Sequence, residues 1–124
     1  MAFGSGGVEA SGNNAVAIGE KAKALGTSSF AFGRNSEAEG QCAVAIGVGN
    51  TASNMNSLAL GTNAISSGKY TTAIGHNVKS QGPSTIAIGL EAVTSSVTEG
   101  QVVLGKYNTP LTDATFIVGN GTDK

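Results

Sequence analysis

Short apolar segments in which large and small residues alternate recur along the whole chain, and each ends in glycine. Residues 15–19 read AVAIG, residues 43–47 read AVAIG and residues 57–61 read SLALG. Alternation at a period of two is typical of β-strands and not of helices. Counted from Gly4, the closing glycines recur at a 14-residue interval, except for a 15-residue interval at the start and a 16-residue interval near the end. We predict that the backbone turns at the glycines that close these strands, which are Gly19, Gly33, Gly47, Gly61, Gly75, Gly89, Gly105 and Gly119.

The two faces of each predicted strand carry apolar side chains of different size. Large residues occupy one face, and alanine occupies most of the other. We predict that the large residues fill the interior of the molecule and that the alanine face allows close approach of another chain. The predicted structural core consists of Val16, Ile18, Phe30, Phe32, Val44, Ile46, Leu58, Leu60, Ile74, Ile86, Ile88 and Leu104.

A second, weaker unit follows each strand after a short interval. Residues 35–40 read NSEAEG and residues 77–82 read NVKSQG, so small residues alternate with polar or charged ones. This alternation predicts a short strand with one solvated face. Most of these units also end in glycine, and Asn54 replaces one of them, which suggests left-handed backbone at that position. Neighbouring repeats would bring Lys23 close to Glu37 or Glu39.

Two short strands and two turns in each 14-residue repeat favour a coil in which successive turns stack on one another. Each strand then pairs in parallel with its equivalent about 4.8 Å away, so that equivalent side chains form ladders. Residues 1–124 are therefore predicted to form one all-β domain, a parallel β-solenoid of about eight to nine 14-residue repeats. The extra residues in the 16-residue interval, between positions 91 and 100, are expected in a loop.

A coil this narrow encloses little volume and leaves a second apolar surface to cover. Its end turns also expose unpaired strand edges. We therefore expect the chain to associate laterally with copies of itself, with closed cyclic symmetry as the usual outcome.

Composition excludes several classes of function. Charged residues make up 12% of the chain and the formal net charge is −1, which does not suit a nucleic-acid surface. No apolar segment reaches the ~18 residues of a membrane helix, so no membrane insertion is expected. No signal peptide is evident, and the repeat pattern reaches both ends, so we expect an excised fragment with an added Met1.

Candidate residues for chemistry are few, and the sequence predicts no catalytic residue, no cofactor site and no metal site. The glycines recur at the repeat period, and no GxxxxGK[ST] phosphate loop is present. His76 follows a repeat glycine and is expected to be an exposed turn residue. The single cysteine, Cys42, excludes an intramolecular disulfide and is expected to be a tolerated small residue and not a nucleophile.

The repeat resembles the head repeats of trimeric autotransporter adhesins, the YadA-like heads. The closest segments are residues 14–19, NAVAIG, and residues 42–47, CAVAIG; the first is followed by an xxAxAxG unit, EKAKALG, and the resemblance covers roughly residues 2–105. It implies a left-handed parallel β-roll, assembly into a homotrimer and no enzymatic activity. It also implies a cell-surface or extracellular location and adhesion to a host surface or extracellular-matrix protein.

The last segment is similar to a different class of appendage. Residues 105–108, GKYN, followed by residues 116–122, FIVGNGT, resemble a stretch of phage tail fibres. There, β-rolls precede a C-terminal chaperone domain that trimerises the fibre and is cut off by autoproteolysis. This resemblance implies a segment of a virion tail involved in host-receptor binding, or the product released upstream of an intramolecular protease. No heptads of a coiled-coil stalk are present.

Overall fold

Residues 1–122 are described by the computed structural model, and they form strands connected by tight turns. Long strands alternate with two-residue strands over most of the chain. The strands are β1 (Ala2–Ser5), β2 (Glu9–Ala10), β3 (Val16–Glu20), β4 (Lys23–Ala24), β5 (Phe30–Arg34), β6 (Glu37–Ala38), β7 (Val44–Val48), β8 (Thr51–Ala52), β9 (Leu58–Thr62), β10 (Ile65–Ser66), β11 (Thr72–His76), β12 (Lys79–Ser80), β13 (Ile86–Leu90), β14 (Val102–Lys106) and β15 (Phe116–Asn120).

The strands form two parallel sheets, one on each side of the coil. The long strands make a nine-stranded sheet in the order β1-β3-β5-β7-β9-β11-β13-β14-β15, and the short strands make a six-stranded sheet from β2 to β12. Equivalent residues pair from turn to turn, as Gly47 pairs with Gly61 and Gly61 with Gly75. This register confirms the predicted parallel β-solenoid of ~14-residue turns.

Alanine fills the interior, and the prediction of which face lies inside is wrong for the single chain. Every buried apolar residue among positions 1–122 is alanine except Val78 and Val103. The twelve residues predicted as the core lie on the outer face of the nine-stranded sheet, where they are half-buried or exposed. Phe32, for example, is 46% exposed, whereas its neighbour Ala31 is fully buried.

The size of the coil explains this inversion. Each ~14-residue turn closes on itself, and the side chains that point inward from the two sheets face each other across the interior. Most of these inward positions hold a methyl group or a small hydroxyl, as at Ala59 in β9 and Ser66 in β10. Close packing leaves no room for a ladder of larger groups, so the large residues occupy the outer face.

We expect enlargement of an inward alanine to be destabilising. Ala59→Leu should lower the free energy of unfolding by about 1–3 kcal/mol or more, because extra methylenes in a close-packed interior force backbone shifts. Ala59 is fully buried and pairs with Ala45 and Ala73 in the same ladder. Urea unfolding followed by circular dichroism measures the change. The matched control is Leu60→Met on the outer face, for which we expect a change of less than about 1.5 kcal/mol; equal effects would place Ala59 outside the interior.

Buried hydroxyls in the C-terminal half are bonded to each other across the interior. The Ser66 and Thr71 oxygens lie 2.6 Å apart, and those of Ser80 and Thr85 lie 2.8 Å apart. Thr71 Oγ1 also donates to the Gly68 carbonyl at 2.7 Å. Each hydroxyl thus has a partner inside the coil, which removes the desolvation cost of its burial.

Ser29 is the exception among the buried side chains of residues 1–122, because its hydroxyl makes no hydrogen bond. Its equivalents in the adjoining turns, Ala15 and Ala43, are also buried. We expect Ser29→Ala to raise the free energy of unfolding by about 1 kcal/mol, since it removes an unsatisfied buried polar group. Thermal unfolding by calorimetry tests this.

The same substitution further along this ladder provides the control. Ser57 occupies the equivalent place two turns further on, but its hydroxyl donates to the Asn54 carbonyl at 2.6 Å. Ser57→Ala should therefore lower stability by about 1 kcal/mol. Opposite signs for the two substitutions support the account, and a loss of stability in both would contradict it.

The repeat glycines lie inside the long strands and not at the turns, which corrects part of the prediction. Gly19, Gly33, Gly47, Gly61, Gly75, Gly89 and Gly105 have φ between 106° and 138°, whereas Gly119 does not have a positive φ of this kind. Each is the fourth residue of its strand. A Cβ on Gly61 would overlap the carbonyl oxygen of Gly75 in the next turn. These glycines therefore permit close stacking of one turn on the next.

Two ladders of left-handed residues make the actual corners. Their φ values lie between 47° and 68°. One ladder, at the ends of the long strands, is Lys21, Asn35, Gly49, Asn63, Asn77, Glu91 and Tyr107, and the other is Asn14, Ser28, Cys42, Asn56, Tyr70, Ser84 and Gly100.

The glycines of the second unit have a different role from the one predicted. Gly12, Gly26 and Gly40 do not have a left-handed φ, and neither does Asn54. A Cβ on Gly26 would overlap the carbonyl oxygen of Gly40 in the next turn. Close stacking again explains the glycine, and Asn54 is accommodated by an amide that donates to the Ser67 carbonyl at 3.3 Å.

Two amide side chains attach the last turn to the preceding one. Gln101 Oε1 accepts from the Ser95 N–H at 2.7 Å, and its Nε2 donates to the Leu111 carbonyl at 2.7 Å. The Asn108 side chain donates to the Val93 carbonyl and accepts from the Val93 N–H, both at 2.7 Å. The interval between β13 and β14, where insertion was predicted, is thereby held in a defined conformation.

Candidate functional site

The outer face of the nine-stranded sheet is a continuous apolar surface, here named the apolar sheet face. It carries Phe3 of β1 and the first and third residues of the five-residue strands, such as Val44 and Ile46 in β7. These residues are apolar except for Thr72 at the start of β11. The pleat explains this placement, because the residues between them, including Ala45, point inward. The face continues over all nine strands, since equivalent residues pair in register.

Large side chains on this face are exposed in the single chain. The exposed fraction is 72% for Phe3 and 62% for Phe116, at the two ends of the sheet. In β5, the Phe30 and Phe32 rings stack with centroids 6.4 Å apart and planes 2° from parallel. An apolar surface of this extent is unusual on a soluble monomer and marks an interaction site.

The six-stranded sheet presents a polar outer face at its N-terminal end. Glu9 pairs with Lys23 and Lys23 with Glu37 in the register of β2, β4 and β6. Lys23 Nζ lies 2.8 Å from Glu37 Oε1, which confirms the predicted pairing. The hydrogen bond to Glu37, with that carboxylate's charge, raises the pKa of Lys23 above its ordinary value. The ammonium of Lys23 is therefore charged at neutral pH, and its contribution to the pair is lost as the pH rises through this raised pKa.

A groove of about 480 Å³ lies at the C-terminal end of this outer face, here named the corner groove. Part of its lining comes from the six-stranded sheet and part from the left-handed corner ladder. Asn108, held on the Val93 backbone, closes one wall. The lining residues are Asn63, Ile65, Asn77, Lys79, Glu91, Val93, Tyr107 and Asn108.

Sequence reasoning did not find the corner groove. The signal that places these residues together is the repeat period. Asn63, Asn77 and Glu91 recur at the 14-residue period, as do Ile65, Lys79 and Val93. Each triplet therefore forms one ladder, and the two ladders adjoin.

The single histidine and cysteine lie apart from any cluster of reactive groups. Cys42 is an exposed residue of a left-handed corner, and His76 is the exposed last residue of β11. Within the described residues, no three His, Cys, Asp or Glu side chains are grouped to hold a metal ion. A search of the same residues found no helix with the length and apolarity needed to cross a membrane. Asp123, one of the two aspartates, lies outside the described residues.

The fold and its surfaces define the general class of protein. The chain is a parallel β-solenoid whose repeats build a scaffold with one apolar and one polar outer face. A model of the YadA head domain repeat matches residues 10–36, 38–64, 56–77 and 66–92. These segments cover more than half of the chain, and the chain therefore belongs to the YadA head repeat family, as the sequence resemblance indicated. A search of curated proteins gave no match.

Family membership establishes the general nature of the molecule. The YadA head repeat family is a non-enzymatic family of structural adhesins, so the chain is an adhesin head domain and not an enzyme. Heads of this family form trimers, and the adhesins that carry them are exposed on the bacterial surface. The matched segments end at residue 92, so the last two turns lie beyond them.

Proposed function

We propose that this chain is the head of a homotrimeric surface adhesin that binds a host surface or extracellular-matrix protein. In this proposal residues 1–124 form a single head domain, a left-handed β-roll, and three rolls pack side by side outside the cell. In the trimer, the twelve residues predicted from sequence as the core of one chain form a core that the three chains share.

The apolar sheet face is the observation that carries this proposal. Residues such as Ile46 and Leu60 lie on its outer surface, while the single chain's interior is already filled with alanine. An apolar surface that extends over nine strands is stabilised only when it is covered, and the family shows trimers. Packing three such faces together leaves the six-stranded sheets outside, where they are available to ligands.

An adhesion assay tests the binding function. Fluorescent beads coated with the purified trimer should adhere to a reconstituted basement-membrane matrix more strongly than to an albumin-coated surface. Beads coated with albumin are the control. Adhesion of the head-coated beads that is equal on the two surfaces would reject a matrix ligand.

A tail-fibre segment that binds a host receptor is the second candidate, and the C-terminal turns favour it. Residues 93–122 lie outside the matched segments, and within them residues 105–108 and 116–122 carry the resemblance to phage tail fibres. In that case the parent gene should encode an autoproteolytic chaperone domain after Lys124 and lie among tail genes. An outer-membrane anchor in the parent gene would reject this candidate.

A further inference from the structure

The corner groove opens away from the apolar sheet face. Ile65 and Lys79 point outward from the six-stranded sheet, and Val93 continues their ladder through an isolated bridge to Lys79. The residues that alternate with them, such as Ala64 and Ala92, are fully buried. The six-stranded sheet lies across the interior from the nine-stranded one. A trimer that covers the apolar sheet face would therefore leave this outer surface open to solvent.

The groove offers groups suited to a hydroxyl-rich, uncharged ligand. The amides of Asn63 and Asn77 each provide a donor and an acceptor, and they stand one turn apart, about 4.8 Å. Lys79 and Glu91 add one charge of each sign, so the lining has no net charge to attract a strong anion or cation. Polar groups of both kinds beside apolar side chains are typical of a small-molecule site of this size.

The apolar part of the lining requires a ligand with one non-polar face. Ile65 and Val93 provide aliphatic surface, and Tyr107 adds an aromatic ring to the same groove. A pyranose ring meets both requirements, because its C–H groups form a non-polar face and its hydroxyls project around the rim.

The backbone at this corner disfavours an extended peptide as the occupant. A peptide that adds a strand to a sheet needs free N–H and C=O groups along the sheet edge. At Val93 both groups are bonded to the Asn108 side chain, at 2.7 Å each. The position at which a strand would extend the six-stranded sheet is thus occupied by the chain itself.

We propose that the corner groove binds a neutral hexose unit of a surface glycan. The amides of Asn63 and Asn77 bind its hydroxyls, Lys79 and Glu91 bind at the rim, and the ring rests on Ile65, Val93 and Tyr107. This inference depends on the proposed adhesin function, because it names the class of ligand that the head would take.

The test offers the assembled protein four free sugars at millimolar concentration: glucose, galactose, mannose and N-acetylglucosamine. Saturation-transfer NMR detects binding, and a titration measures the affinity. Asn77→Gly removes an amide from the groove and keeps a residue that accepts the φ of 53°. Asn35→Gly is the matched control, since Asn35 has a φ of 54° in the same ladder but lies outside the groove.

We expect at least one sugar to bind, Asn77→Gly to weaken its affinity about tenfold through the loss of amide hydrogen bonds, and Asn35→Gly to leave it unchanged. The inference is overturned if none of the four sugars binds, or if the two variants lose affinity equally. It is also overturned if Asn77→Gly abolishes bead adhesion to the matrix while the protein binds no sugar, which would make the groove a protein site. If both variants still adhere to the matrix but no sugar binds, the glycan site is rejected and the proposed adhesin function is retained.

Discussion

Gly61→Ala is expected to destabilise the chain by about 3 kcal/mol or more, since two costs of about 1–3 kcal/mol each combine. The first is unfavourable backbone geometry, because Gly61 has a φ of 130°. The second is steric crowding, because an added Cβ would overlap the Gly75 carbonyl oxygen and lie 2.9 Å from its carbonyl carbon. Native domains are stable by only about 5–15 kcal/mol, so much of the stability would be lost. The urea midpoint from far-ultraviolet circular dichroism measures the change.

Gly7→Ala separates the two costs. Gly7 also has a positive φ, 89°, but a Cβ there would meet no atom within 4 Å. This variant should lose only the conformational preference of glycine, about 1–2 kcal/mol. If Gly61→Ala and Gly7→Ala have the same effect, contact between successive turns is not what requires glycine at position 61.

Ile46→Glu is expected to convert the trimer into monomers. Ile46 lies in the middle of the apolar sheet face, where it pairs with Phe32 and Leu60 in the adjoining strands. In the proposed trimer, three copies of this residue are covered by neighbouring chains, and each buried unpaired carboxylate costs several kcal/mol. Sedimentation velocity should show a change from about three times 12.2 kDa to 12.2 kDa.

Thr51→Glu provides the matched control for this substitution. Thr51 lies on the outer face of the six-stranded sheet, between Glu37 and Ile65 in register, and the proposed trimer leaves this face in solvent. The variant should remain trimeric. A trimer that survives Ile46→Glu, or one that dissociates with Thr51→Glu, would show that the chains associate through a different surface.

Much of the fold could be predicted from the sequence because a repeat fixes its own register. Once the glycines are aligned at the 14-residue period, parallel pairing of Gly47 with Gly61 follows, and so does the approach of Lys23 to Glu37. The inside and outside of the coil could not be assigned in the same way. Both faces of a segment such as residues 43–47 are apolar, so alternation alone does not distinguish them, and the usual rule that large residues are buried points the wrong way. The volume inside each turn is so small that only the alanine face can point inward.

The site was less accessible to sequence reasoning than the fold. The sequence predicted the residues of the apolar sheet face as one packed set, but it placed them in the interior of one chain. The corner groove depends on Asn108, whose side chain takes the place of a backbone strand partner for Val93. Val93 lies in the lengthened interval between β13 and β14, and Asn108 follows β14. No repeat pattern predicts the conformation of an insertion.

The mass of the purified chain in solution tests the central claim most directly, since the account requires the apolar sheet face to be covered by two further copies. Light scattering coupled to size-exclusion chromatography should give about three times the monomer mass of 12.2 kDa at micromolar concentration. A stable, soluble monomer with the β-sheet circular dichroism of the folded chain would contradict the account.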